Sequence, residues 1–375
     1  MALNDMTAYR DDFPVTHNYI YLNHAGVSPV SLRVKEAVEG FLEESTAQGI
    51  MAIEKWYRQA EAVRQNTADL VGADKEEICF VRSTSHGLSL VAEGIDWKEG
   101  DNVVTAGCEF PSNVYPWMNL ARRGVETRIV EAHQGQVRFS DIQDYICSRT
   151  RVVTLSWVEF QNGFRNDLEE IGSYCHDRGI YFCVDGIQGI GALPLDLAKL
   201  PVDFCAADGH KWILAPEGIG FLYVSKRVID RIHPVIVGWH TVENALDFEH
   251  LDFTLKTDAR KFEEGSHQIM GILSLGAAVA LLAEIGIPKI WTQIQDLCGQ
   301  IVEGLNQRGC EILSPLEEKR RSGILTFRSP HRSTAELFRR FSDAKMVVAV
   351  RGGGIRVSPH FYNTREEIAQ LLEIL

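Results

Sequence analysis

The chain has 375 residues, 45% of them apolar, which is enough to bury a large core and to build one large domain beside a smaller one. Its formal net charge of −13 argues against nucleic acid or an anionic membrane as partner, because both attract basic surfaces. The 8 cysteines show no CxxC pairs or His/Cys clusters, and several (Cys79, Cys183, Cys205) sit inside apolar runs, so reduced thiols in a cytoplasmic protein without a metal centre are expected.

The first thirteen residues are polar and acidic, unlike a signal or transit peptide. Over residues 54–72, Trp56, Ala60, Val63 and Leu70 recur at helical spacing and predict a helix with one packed face. Short β-rich runs follow at 78–81, 103–105, 127–130, 152–157, 181–184 and 221–224, alternating with helical patterns. That alternation predicts an α/β fold with a mostly parallel, helix-covered sheet. The apolar stretch 269–287 is broken by glycine and glutamate and fits a core helix better than a membrane span. A boundary falls near Gly286-Ile-Pro288, where a new amphipathic pattern starts at Lys289. Residues 16–285 thus read as the large domain. Residues 286–375 read as a smaller α+β domain, with strands at 323–327 and 347–350 and helices from Ser333 and Thr364.

Three strand ends carry chemistry. An apolar run from Asp203 leads into Gly209-His-Lys211 and then a Pro-Glu-Gly-Ile-Gly turn, where desolvation and His210 lower the lysine pKa and favour a neutral amine able to form a Schiff base. The run 180–188 ends in Asp185, with Gln188 just beyond. In parallel α/β sheets the carboxyl ends of strands are where ligands bind, so Asp185 is positioned to pair with a pyridinium nitrogen and Lys211 with an aldehyde of the same cofactor. The segment Arg82-Ser-Thr-Ser-His-Gly87 opens a helix after a strand; its free amides, the helix dipole and the hydroxyls of Thr84 and Ser85 make an anion site. Together the three describe a pocket for a phosphorylated aldehyde.

With Tyr21-Leu-Asn-His-Ala-Gly26, Glu109-Phe-Pro-Ser-Asn-Val-Tyr-Pro-Trp117, Val184-Asp-Gly-Ile-Gln188, Phe262-Glu-Glu-Gly-Ser266 and Arg356-Val-Ser-Pro-His-Phe-Tyr-Asn363, these motifs form an ordered set over nearly the whole chain. The chain resembles the class V aminotransferase group of fold type I pyridoxal-phosphate enzymes, which includes cysteine desulfurases and kynureninases. The resemblance implies pyridoxal 5'-phosphate as cofactor, a small amino acid as substrate, and a homodimer with shared active sites. It also implies that residues 1–15 join the small domain. Lys211 would be the catalytic lysine, Asp185 would keep the pyridine nitrogen protonated, and Gln188 would bond the phenolic oxygen. His210, Thr84 and Ser85 would hold the phosphate, with Ser266 reaching it from the second subunit. Phe110 falls where the ring stacks, in a kynureninase-like Phe-Pro-Ser-Asn-Val-Tyr setting. Trp239 resembles a further phosphate-side position, with a core tryptophan as the alternative. Arg356 would clamp the substrate α-carboxylate, a task suited to a guanidinium's parallel donors. His24 would lie on the substrate side, as would His360, unless each is simply a satisfied polar residue.

The chain departs from the desulfurase pattern in three places. Arg351-Gly-Gly-Gly-Ile-Arg356 leaves no room for the mobile loop and its nucleophilic cysteine. Cys108 is a candidate replacement, against the plainer reading of a small buried hydrophobe. Asp208 stands where desulfurases often have serine, so it must be turned away from phosphate, paired with a cation, or protonated. The run Trp157-Val-Glu-Phe-Gln-Asn-Gly163 lacks the desulfurases' asparagine in clear register. The expected activity is cleavage at Cβ of an α-amino acid without a persulfide cysteine. Transamination is the alternative, with epimerisation and a non-catalytic scaffold behind it.

Overall fold

The structure, a computed structural model, describes residues 3–375; Met1 and Ala2, the start of the N-terminal segment discussed above, lie outside them. The strands are β1 (Ile20–Tyr21), β2 (Ile78–Val81), β3 (Asn102–Ala106), β4 (Glu126–Val130), β5 (Thr150–Ser156), β6 (Tyr181–Asp185), β7 (Phe204–Asp208), β8 (Gly220–Val224), β9 (Glu311–Ile312), β10 (Leu325–Arg328), β11 (Met346–Val347), β12 (Ala349–Arg351) and β13 (Gly354–Val357).

A seven-stranded sheet of order β2-β8-β7-β6-β5-β3-β4 organises the larger part. Strands β3, β6 and β7 are buried on nearly every residue because helices cover both faces. The pairings from β4 through β7 are parallel, but β8 runs antiparallel to both β7 and β2. Only residues 209–219 join β7 to β8, too few for a crossover helix, so the chain turns straight back. Gly220 pairs with both Val81 and Asp208. The end of β2 therefore shares one sheet edge with the ends of β3, β5, β6 and β7, and the turns carrying Thr84, Phe110, Asp185 and Lys211 all leave from that edge.

The predicted helix over 54–72 spans Ile53–Val71, buries Trp56, Ala60, Val63 and Val71, and ends at Gly72 in the left-handed region. The helix Ile269–Ile285 packs against it and is buried along most of its length. A Cβ at Gly276 would come 2.3 Å from Val63 Cγ2, so glycine is what allows the two helices to approach. Among the described residues no single helix is long and apolar enough to span a membrane; Ile269–Ile285 and Ile287–Gln307 meet that length only as a pair bent by 78°.

The C-terminal strands form an antiparallel sheet of order β12-β13-β10-β9. Helices Thr334–Asp343 and Arg365–Ile374 flank it, capped by Ser333 and by the Thr364/Glu367 capping box. The strand expected at 347–350 is divided at Val348. Its first half, β11, pairs in parallel with β1, and its second half, β12, pairs with β13. The N-terminal segment also packs here: Phe13 stacks on Tyr362 at 4.0 Å and Arg10 Nη2 lies 2.6 Å from Glu367 Oε1.

Candidate active site

Lys211 lies in the turn after β7. Its Nζ has no hydrogen bond or ion pair among the described residues and stands 5.6 Å from the centroid of the Phe110 ring. Burial lowers its pKa to about 8, opposed by Asp185 and reinforced by Arg356. Asp185 ends the adjacent strand β6 and is 2% exposed. Burial raises its carboxyl to about 6, held back by the Ile187 N–H donating to Oδ1 at 3.0 Å and by Lys211. Gln188 donates to the Ala25 carbonyl at 3.0 Å and accepts from Trp212 Nε1 at 3.1 Å, so its amide is oriented before any ligand arrives.

The helix Thr84–Gly94 begins at the end of β2. Its N-cap is Ser83, whose hydroxyl accepts from His86 N. Thr84 and Ser85 thus occupy the first two helical positions, where amides have no acceptor within the helix. Thr84 Oγ1 accepts from the Asp208 N–H at 3.0 Å, leaving its own proton to donate, and Ser85 Oγ donates to Ser112 Oγ. His210 Nδ1 lies 3.1 Å from Asp208 Oδ1, although neither atom makes a well-formed hydrogen bond. Of the options raised by Asp208, the structure takes the placement beside a histidine. Thr84, Asp208 and His210 form one connected group next to Lys211.

Arg356 on β13 is 2% exposed, yet its partners are neutral: Nη1 donates to the Phe160 carbonyl at 2.7 Å and Nη2 to Asn23 Oδ1 at 3.2 Å, while Nε has none. Burial, followed by Arg351, lowers its pKa to about 10. A buried cation without an anion is costly, and its natural complement is a carboxylate ligand. His24 is fully buried, with Nδ1 bonded to the Ser358 carbonyl at 2.8 Å and Nε2 to the Tyr362 hydroxyl at 2.6 Å. Both ring nitrogens are occupied, so its contribution is to hold the strand of Asn23 against β13 rather than to touch substrate. His360 is likewise engaged with Trp212 O and Phe361 N.

Trp239 and Ser266 line other hollows. Trp239 shares one with Tyr57, His240 and Lys256; Ser266 shares another with Phe80, Arg82 and Gln268. Neither hollow includes Lys211 or Asp185. Nearby, His240, Glu263 and His267 bring potential ligand atoms within 4.8 Å, but both Glu263 oxygens are already held by Arg64, at 2.6 and 3.0 Å.

One feature escaped the sequence. Glu109, just before Phe110, accepts from Ser156 N and Ser156 Oγ, both at 2.6 Å, and from Asn113 Nδ2 at 2.9 Å. Burial raises it to about 7. Buried Glu159 also has a raised pKa, from burial and from Glu109. Burial and Glu159 push the neighbouring Cys108 thiol well up, which suits a small buried side chain and not a nucleophile. Asn162, in the run 157–163, donates to the carbonyls of Gln134 and Gly135.

The sequence profile of the aminotransferase class-V family matches residues 20–371. A probable cysteine desulfurase of Methanothermobacter thermautotrophicus is 32% identical, over 98% of this chain and 96% of that protein. The apo cysteine desulfurase of Thermococcus onnurineus NA1 superposes with a TM-score of 0.86 at 27% identity, covering 98% of this chain and 96% of that one. A C-DES variant with glycine covalently linked to its PLP cofactor superposes with a TM-score of 0.90 at 24% identity, covering 97% and 98%, a likeness of fold.

Proposed function

The chain belongs to the aminotransferase class-V family and is a pyridoxal-phosphate-dependent enzyme; from that premise we propose that it cleaves a bond at Cβ of an α-amino acid, as a desulfurase does, but without a persulfide-forming cysteine. The observation that carries the second half is the β12–β13 hairpin. Gly352 and Gly353 both have positive φ (56° and 75°) and close a two-residue turn, which supports the absence of a thiol-bearing loop before Arg356.

The residues fit the cofactor. An amine with no hydrogen bond or ion pair among the described residues (Lys211) suits its aldehyde, a buried carboxylate (Asp185) its ring nitrogen, and the first amides of the helix with Thr84, Ser85 and His210 its phosphate. When bound, the ring supplies a sink for electrons released at the substrate carbons. Lys211 would hold the cofactor's aldehyde and would move a proton at the substrate Cα; its pKa near 8 suits both donating and accepting near neutrality. Asp185 would supply a negative charge to the ring nitrogen. Gln188, oriented by Ala25 and Trp212, would bond the phenolic oxygen, and Phe110 would pack on the ring. Arg356 receives the α-carboxylate.

The same proposal includes a homodimer, in which Ser266 serves the site of the second subunit. The segment bearing Leu246, Phe248, Leu251 and Phe253, which are 77%, 70%, 99% and 68% exposed, supports it as apolar surface in want of a partner. The two-part organisation with a boundary near residue 286 and the cytoplasmic location complete the proposal. The first rests on the separate antiparallel sheet, the second on scattered unpaired cysteines. The test is to incubate cofactor-loaded protein with cysteine, cysteine sulfinate, alanine and kynurenine and identify the products. Release of the side-chain group supports the proposal; transfer of only the amino group to a keto acid means transamination.

A further inference from the structure

In the β12–β13 hairpin, Ala349 lies opposite Arg356 and Arg351 lies opposite Gly354. Side chains alternate along a strand and directly opposed residues share a face, so Arg351 and Arg356 project from the same face. As diagonal neighbours their Cβ atoms are roughly 7–8 Å apart, or somewhat less. Thr326, opposite Arg356 on β10, lies on this face and donates to the Gln161 carbonyl, while Arg356 donates to that of Phe160. The Phe160 ring meets Phe110 edge-on at 5.2 Å, and Phe110 faces Lys211. The hairpin face is thereby joined to the lysine site.

Neither guanidinium has a carboxylate partner among the described residues. Arg351 is exposed, and its hydrogen bond is to the carbonyl of Val350. Its charge adds to burial in depressing both Arg356 and Lys211. One α-carboxylate on Arg356 offsets one of these cations and leaves the other bare.

We propose that Arg351 is a second anion-binding residue of this site and that the substrate is an α-amino acid whose side chain ends in a carboxylate or sulfinate. The inference rests on the reading of Lys211 and Arg356 as the substrate site. Such side chains suit cleavage without an acceptor thiol. The Cβ–C or Cβ–S bond breaks with its electron pair left on Cβ, and a proton takes the vacated position. The group departs as carbon dioxide, or as sulfur dioxide that hydrates to sulfite; alanine results, and no oxidant or reductant is consumed.

The experiment compares succinate with butyrate, a dianion and a monoanion of equal length, by titration calorimetry on cofactor-loaded wild type, Arg351→Ala and Arg351→Lys. Wild type should favour succinate by about 10–100-fold, as a charge-assisted contact implies. In Arg351→Ala the ratio should fall toward one, and Arg351→Lys should keep part of it. In parallel, kcat/KM of Arg351→Ala for aspartate and cysteine sulfinate should fall by about the same factor relative to cysteine. A ratio in Arg351→Ala equal to that of wild type, or equal weakening of both ligands, overturns the inference. Failure of the protein to turn over any amino acid would instead sink the proposed function, while the succinate preference would still report on the arginine pair.

Discussion

Asp185 and Lys211 leave the ends of adjacent parallel strands, and each moderates what burial does to the other: burial raises the carboxyl to about 6 and lowers the amine to about 8, while their mutual attraction opposes both shifts. Two groups poised on either side of neutrality, in one pocket, are the core of this site.

Lys211→Ala should leave the fold intact, since it removes a desolvated amine with no hydrogen bond or ion pair among the described residues. Protein loaded with pyridoxal phosphate should lose its visible absorbance band, and turnover should fall by about 10³-fold or more. Absorbance and steady-state rates check both, and retained activity would remove Lys211 from its role.

Asp185 trades stability for function. Its folded pKa of about 6 lies above the ordinary aspartate value of 3.8, so stability is lost as pH rises from about 4 to 6. In cofactor-free protein, Asp185→Asn should be more stable than wild type by about 1–3 kcal/mol at pH 7, with the gap closing near pH 4. Lys211 works in the other sense: folded near 8 against 10.5, it adds stability as pH rises through that window. Denaturant melts across pH test both, and a gap independent of pH would contradict the assignment.

Arg356→Met should raise KM for amino acids, with kcat/KM falling by an amount equivalent to roughly 2–4 kcal/mol. It should not lower the melting temperature, because the charge removed is buried without an anion. A large loss of stability with KM unchanged would make Arg356 structural.

Arg64 and Glu263 form a buried pair, 1% and 3% exposed, and Glu263 Oε1 also accepts from Phe80 N at 2.8 Å. Burial pushes Glu263 up, but Arg64 outweighs it and the carboxyl ends below its usual range, so its stabilisation is present above about pH 4.5 and is lost on acidification. Glu263→Gln should cost about 3 kcal/mol, the lower end for a broken buried pair, because Arg64 loses its buried counter-ion and keeps only the partly exposed Glu61 carboxylate, 3.1 Å from Nη2. Chemical denaturation measures it; a cost below about 1 kcal/mol would mean that water reaches the guanidinium.

Of the cysteines, Cys147 is exposed, and hydrogen bonds from the Arg149 N–H, Asn102 and Arg128 bring its thiol down to about 7. A disulfide reagent at neutral pH should therefore titrate one thiol quickly, and Cys147→Ser should abolish that phase. A second fast thiol would reopen the question of a persulfide-forming cysteine.

Much of this site could be read locally, because a strand end followed by Gly-His-Lys, by Asp-Gly-Ile-Gln or by Ser-Thr-Ser-His puts chemistry and its structural cause within a few residues. The hydroxyl that caps the helix is that of Ser83, one residue earlier than the pair singled out, since any of three adjacent hydroxyls satisfies the pattern. The reversal of β8 follows from the length of the 209–219 connection, which alternation alone does not register. The divided strand at Val348 depends on β1, more than 320 residues away in sequence, offering a second pairing partner. Glu109 with Glu159, and Asn23 with Arg356, meet only when separate strands are brought together; no local period marks them. His24 stands in a motif, but only the fold reveals that Ser358 and Tyr362 occupy both its nitrogens.

The most direct test of the central claim is mass spectrometry of the products formed in deuterium oxide. Cleavage at Cβ predicts a three-carbon product, alanine or pyruvate, carrying solvent deuterium at Cβ, together with the released side-chain group. A keto acid that retains the whole side chain, with the amino group held until a second keto acid is supplied, would contradict it and identify a transaminase.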